Sequence, residues 1–138
     1  MLYIYSKDLA VTAGSPINFN TNVIQTGCTA THSAGSSSIS LNRPGFYKVE
    51  LVGSVITPAG AGDVTITMYE NGVASNYAFT IVTTASATDN EAFVIDAVVQ
   101  VLPNCAAVVS NVPKVITFVS STTDAEYNIV SAVVTKLA

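Results

Sequence analysis

From Phe46 to Ile56 the chain alternates without a break. Tyr47, Val49, Leu51, Gly53 and Val55 fall on one side of an extended segment, and Phe46, Lys48, Glu50, Val52, Ser54 and Ile56 on the other. A period of two held this long fits a strand and no helix, so the first set is assigned to a core. "TPAGAGD" ends the run, and "VTITMY" then alternates Val64, Ile66 and Met68 inward against Thr65, Thr67 and Tyr69. Asn71-Gly72 follows, a dipeptide that accepts positive φ at both central positions of a tight hairpin turn. Beyond it Val73, Tyr77, Phe79 and Ile81 continue one face. "AFVIDAVVQVL" sets Phe93, Ile95, Ala97, Val99 and Val101 against Val94, Asp96, Val98 and Gln100. That strand is apolar on almost both sides, which predicts cover by a second layer or a neighbouring subunit.

The rest of the chain reads the same way. No segment of ten or more residues carries a capped 3.6 period. "PINFN", "NVIQT" and "SISL" read as short strands between Gly- and Ser-rich turns. After "PNC" come a short strand "AAVVS", a turn "NVPK", a strand "VITFVS", a loop "STTDAEY" and a last strand "NIVSAVVTKL". Eight to ten antiparallel strands at this spacing predict an all-β sandwich, jelly roll or barrel. Residues 15–138 read as one domain, and residues 1–14 as a first strand or an attachment arm.

Charge is scarce: 10% of residues, against roughly 25% in ordinary soluble domains. Either hydroxyls cover the surface or part of it is hidden in an assembly, and we expect both. The net charge of -4 with five scattered Lys and Arg offers no track for phosphates, which argues against nucleic acid. "MLYIYSKDLA" lacks a signal-peptide pattern and no apolar run has the length of a membrane span, so we expect synthesis in a cytoplasm and no membrane insertion.

Residues that could carry chemistry are few. His32, the only histidine, lies in "ATHSAGSSS" and reads as an exposed loop residue. A trimer could bring three copies of it to one axis. Asp89/Glu91 and Asp124/Glu126 sit in polar loops but fall short of the six to eight oxygens of a calcium site. Nothing places either pair across a cleft as glycosidase acids. Asp96, inside an apolar strand, needs either a wet face or a partner such as Lys48, Arg43 or Lys114. "AGAG" at 59–62 lacks the lysine and helix of a phosphate loop. Cys28 and Cys105 read as small buried or half-buried hydrophobes, with a disulfide between two loops as the alternative. No catalytic residue, cofactor or metal is expected.

The stretch "LNRPGFYKVELVGSVITPAGAGDVTITMYENGV" resembles the tumour necrosis factor superfamily and complement globular-head jelly roll. The Pro44-Gly45-Phe46-Tyr47 corner, the long strand, the Asn-Gly hairpin and the apolar last strand come in that family's order over about residues 39–137. It looks most like bacterial and bacteriophage members, such as exosporium filament tips and phage head-fibre or decoration modules. The resemblance implies a jelly roll that forms a homotrimer, with no enzymatic activity, and the absent Gly-x-y stalk points to a virion. In that setting the N-terminal segment attaches to a capsid or fibre protein. Tyr47, Tyr77, Phe79 and Phe93 are the candidates for the trimer interface or the core beside it. Two alternatives stand: an adhesin whose polar loops bind a host-surface glycan, and a spore-surface filament tip.

Overall fold

The computed structural model of the chain describes residues 1–103 and 113–138. Eleven strands form in the order β1 (Leu2–Val11), β2 (Ser15–Pro16), β3 (Thr21–Gln25), β4 (Ala30–His32), β5 (Ile39–Leu41), β6 (Gly45–Ile56), β7 (Gly62–Glu70), β8 (Val73–Thr84), β9 (Glu91–Val101), β10 (Lys114–Ser121) and β11 (Ala125–Lys136). Among the described residues there is no helix.

Two antiparallel sheets pack face to face. One runs β3-β1-β11-β6-β9, and the other β4-β5-β10-β7-β8, with β2 pairing β10. The core is where the alternation places it: Tyr47, Val49, Leu51 and Val55 of β6 meet Val64, Ile66 and Met68 of β7, all fully or almost fully buried. Leu2 and Ile4 join them, because β1 is an inner strand hydrogen-bonded to β11 on one side and to β3 on the other.

Glycine is required at two places in β6. At Gly45 φ is +138°, and a Cβ would collide with the Ala138 carbonyl oxygen. The corner is closed around it: the Tyr47 hydroxyl donates to the Arg43 carbonyl at 2.7 Å, Phe46 N–H donates to Ala138, and Leu137 N–H donates to Phe46. At Gly53 a Cβ would press on the Ile129 carbonyl oxygen, where the register of β11 against β6 shifts between Tyr127 and Ile129.

Several expectations are corrected. "PINFN" is not one strand: only Ser15–Pro16 pairs, and Ile17 and Phe19 are buried from an irregular segment whose Phe19 N–H and C=O bond Ser36 and Gly35. His32 is no exposed loop residue. It is the inward end of β4, only 6% exposed, with its ring edge-on to Phe19. Small residues around it disguised a three-residue strand as a turn. Cys28 is exposed rather than buried, because its loop lies outside both sheets. Cys105, the expected strand "AAVVS" and the first half of the turn "NVPK" lie outside the described residues.

Candidate self-association surface

β9 is the edge of one sheet and β8 the edge of the other, and the two run along the same long side of the sandwich. Their outward side chains are unusually apolar. On β8 the inward positions are taken by Ser75, Ala78, Val82 and Thr84. Tyr77, Phe79 and Ile81 stand outside, each more than half exposed. The cause is local: the register against β7 shifts between Thr67 and Tyr69, a bulge that changes which β8 residues face in.

The outward face of the β6 sheet continues this character. Val52 pairs with Val94 across β6 and β9, and Lys48 with Val98. Val52, Val94 and Val98 are all exposed. An open hollow of about 470 Å³ lies where Val52, Ala92, Phe93 and Val94 approach Thr80 of β8. Isolated exposed apolar residues are ordinary, but a run of them on adjoining strands marks a surface that meets something.

One charged row crosses the apolar face. Glu50 lies directly opposite Asp96, and Lys48 reaches both, at 3.9 Å and 3.7 Å. Asp96 therefore has the wet face and the Lys48 partner together. All three side chains are about half exposed, so the contacts are worth little to the isolated chain. At one end of the same side, Lys114 ties the sheets together through Glu70 of β7 at 3.2 Å and the Gln100 carbonyl of β9 at 2.6 Å. The Tyr77 hydroxyl donates to the second oxygen of that Glu70 at 2.8 Å. Partial burial, then the carboxylate beside it, pushes the Tyr77 phenol up to about 12.

The four aromatic candidates divide. Tyr47 is fully buried, and burial raises its phenol above the ordinary range; Phe93 is almost fully buried, edge-on to Tyr127 at 5.8 Å. Both lie in the chain's own core. Tyr77 and Phe79 lie on the exposed side. Alternation alone could not find Val52, Val94 and Val98 as partners of Tyr77 and Phe79, because it says nothing about which edge strands lie together.

The acidic loops are local devices. Asp89 accepts the Ala85 N–H, and its hydrogen bond and charge raise the nearby Glu91 carboxyl; Asp124 accepts the N–H of Ala13. Among the described residues no three His, Cys, Asp or Glu side chains gather as metal ligands.

The two-sheet antiparallel sandwich is a tumour necrosis factor-like jelly roll in its fold. The vertex protein P5 of PRD1 is similar over 99% of this chain and 96% of that one, with a TM-score of 0.62 and 17% identity. The Eiger TNF of S. frugiperda is similar over 99% of this chain and 92% of that one, with a TM-score of 0.65 and 8% identity. No family model matches the sequence, and no curated protein matches it. The likeness is therefore one of fold.

Proposed function

We propose that the protein is a non-enzymatic structural component of a phage particle, a homotrimer that decorates the capsid or forms a head- or tail-fibre knob. The observation that carries self-association is the exposed apolar side made by Tyr77, Phe79 and Ile81 of β8 with Val52, Val94 and Val98 of β6 and β9. These are two unlike patches on one chain. When unlike patches meet head to tail, the contact repeats from copy to copy and can close into a ring. The phage setting is supported by the likeness to a vertex protein over nearly the whole of both chains.

Attachment to a capsid or fibre protein is assigned to the N-terminal segment. Because Leu2–Val11 pairs along its length with β11 and its first half, Leu2–Tyr5, also pairs with β3, that contact would use its outward side chains, Tyr3, Tyr5 and Lys7, and leave the strand in place. Light scattering coupled to size-exclusion chromatography tests the trimer. A mass of three chains is expected, and a stable monomer at micromolar concentration would sink the reading.

A further inference from the structure

We propose that the cleft between the Ser33–Ser38 turn and the β4–β5 hairpin binds one neutral sugar residue. It lies toward the β3/β4 side of the sandwich, at the far end of both sheets from β9 and β8. The site is thus complete within one chain and separate from the self-association surface.

The cleft has a volume of about 260 Å³ and is lined by Gln25, Thr31, Ser33, Ser36, Ser38 and Ser40, with His32 at its base. Thr31 already accepts from the Asn42 carboxamide, and Ser36 Oγ from the Ser38 N–H. The hydroxyls of Ser33, Ser38 and Ser40 have no partner among the described residues. Gln25 Oε1 accepts the His32 N–H at 3.0 Å, which leaves the Gln25 amide nitrogen as a donor with no partner there. The cleft therefore offers a ligand hydroxyls that both donate and accept, plus an extra amide donor.

The turn that carries these groups is held firmly. Gly35 N–H donates to the Phe19 carbonyl, Phe19 N–H to Ser36 and Ser36 N–H to Ser33. The His32 ring spans the base, with Nε2 2.7 Å from the Ser36 carbonyl and Nδ1 2.5 Å from Asn22 Oδ1. Groups fixed before binding lose little freedom when a ligand arrives.

The ligand class follows from what the lining contains and lacks. No Lys, Arg, Asp or Glu lines the cleft, and both ring nitrogens of His32 are taken up by Asn22 and Ser36, so an anion or a cation would shed water without meeting a free counter-charge. An apolar molecule would strand the hydroxyls. A sugar ring supplies neutral hydroxyls that donate and accept at once. No aromatic ring other than the His32 imidazole lines the cleft, so stacking adds little and affinity for one residue is expected in the millimolar range. Several copies on one particle would convert weak sites into strong attachment.

Amide NMR spectra of the whole protein, titrated with methyl glycosides of glucose, galactose and N-acetylglucosamine, test the proposal. Saturating shifts confined to residues 31–40 are expected with at least one of them, and Ser38→Ala/Ser40→Ala should weaken binding at least fivefold, on the order of 1 kcal/mol by the affinity relation. Ser33→Ala, on an exposed turn, serves if the double variant does not fold. A free sugar and the end of a surface polysaccharide share this chemistry. Preference for the reducing sugar or for the glycoside assigns the source, and either supports the cleft. No shift in residues 31–40, shifts unchanged by the variants, or stronger shifts with sodium sulfate would overturn it. None of these outcomes depends on the oligomeric state, so failure here and failure of the trimer are read separately.

Discussion

Tyr127 is a core residue whose chemistry is strongly changed by folding. It is fully buried, its hydroxyl donates to the buried Ser120 Oγ at 2.7 Å, and burial pushes its phenol up to about 12. An ordinary phenol in the unfolded chain ionises near 10. The folded state thus holds its proton more tightly, so this stabilisation is fully present below pH ~10 and is lost as pH rises toward ~12, on the order of 2–3 kcal/mol. Tyrosinate absorbance should rise together with unfolding in that window, and Tyr127→Phe should flatten the pH dependence of stability there. Gly53 gives a second test at this scale. Gly53→Val forces a side chain against the Ile129 carbonyl and should cost about 1–3 kcal/mol in urea denaturation. An unchanged midpoint would show that β11 yields freely. Tyr47 was legible as an inward residue because alternation is a local signal, whereas the strand of Phe93, apolar on almost both sides, left its inward face open. His32 was not legible, because its burial depends on Asn22, Phe19 and Ser36, which reach it from outside its own strand.

At the scale of elements, the short strand β4 owes its place to side chains as much as to its ladder. Asn22 Nδ2 donates to the His32 carbonyl, and Gln25 Oε1 accepts the His32 N–H, so β3 clasps the edge of the opposite sheet. Asn22→Ala removes both the carbonyl's donor and the ring's acceptor. It should lower stability by about 1–3 kcal/mol and speed exchange of the β4 amides before global unfolding. In β6 and β9 the relevant element is the Glu50–Asp96 pair facing itself across the ladder. Lys48→Met leaves two like charges opposed, and the loss, roughly a few tenths of a kcal/mol, should be recovered by salt. β6, β7, β9 and β11 could be read from sequence because each alternates over many residues. β8 alternates too, but its bulge shifts the register, so large apolar residues emerge where small ones turn in.

For the whole molecule, strand spacing and turn chemistry lead to an all-β sandwich, jelly roll or barrel, and the choice of a jelly roll comes from the family resemblance. Strand order was not legible, because nothing local in the sequence says that β9 and β8 flank the same side. Phe79→Glu and Val94→Glu test the proposal that this side carries self-association. Both side chains are more than half exposed, so neither substitution disturbs the core. Each should convert the trimer to a monomer by light scattering while thermal unfolding stays cooperative. A trimer that persists in both variants would place the interface elsewhere.

The pairing of β1 with β11 also governs when the protein can fold. Leu2 meets Val134, and Ile4 meets Ala132, so the inner seam of one sheet joins residues separated by nearly the whole described chain. While a ribosome is still making β11, β1 has no such neighbour, and β6 lacks its partner on that side as well. Contacts this distant in sequence are slow to form. β1 therefore lacks one of its two neighbours until β11 has been made, and the five-stranded sheet closes only once the residues up to Lys136 are available to pair.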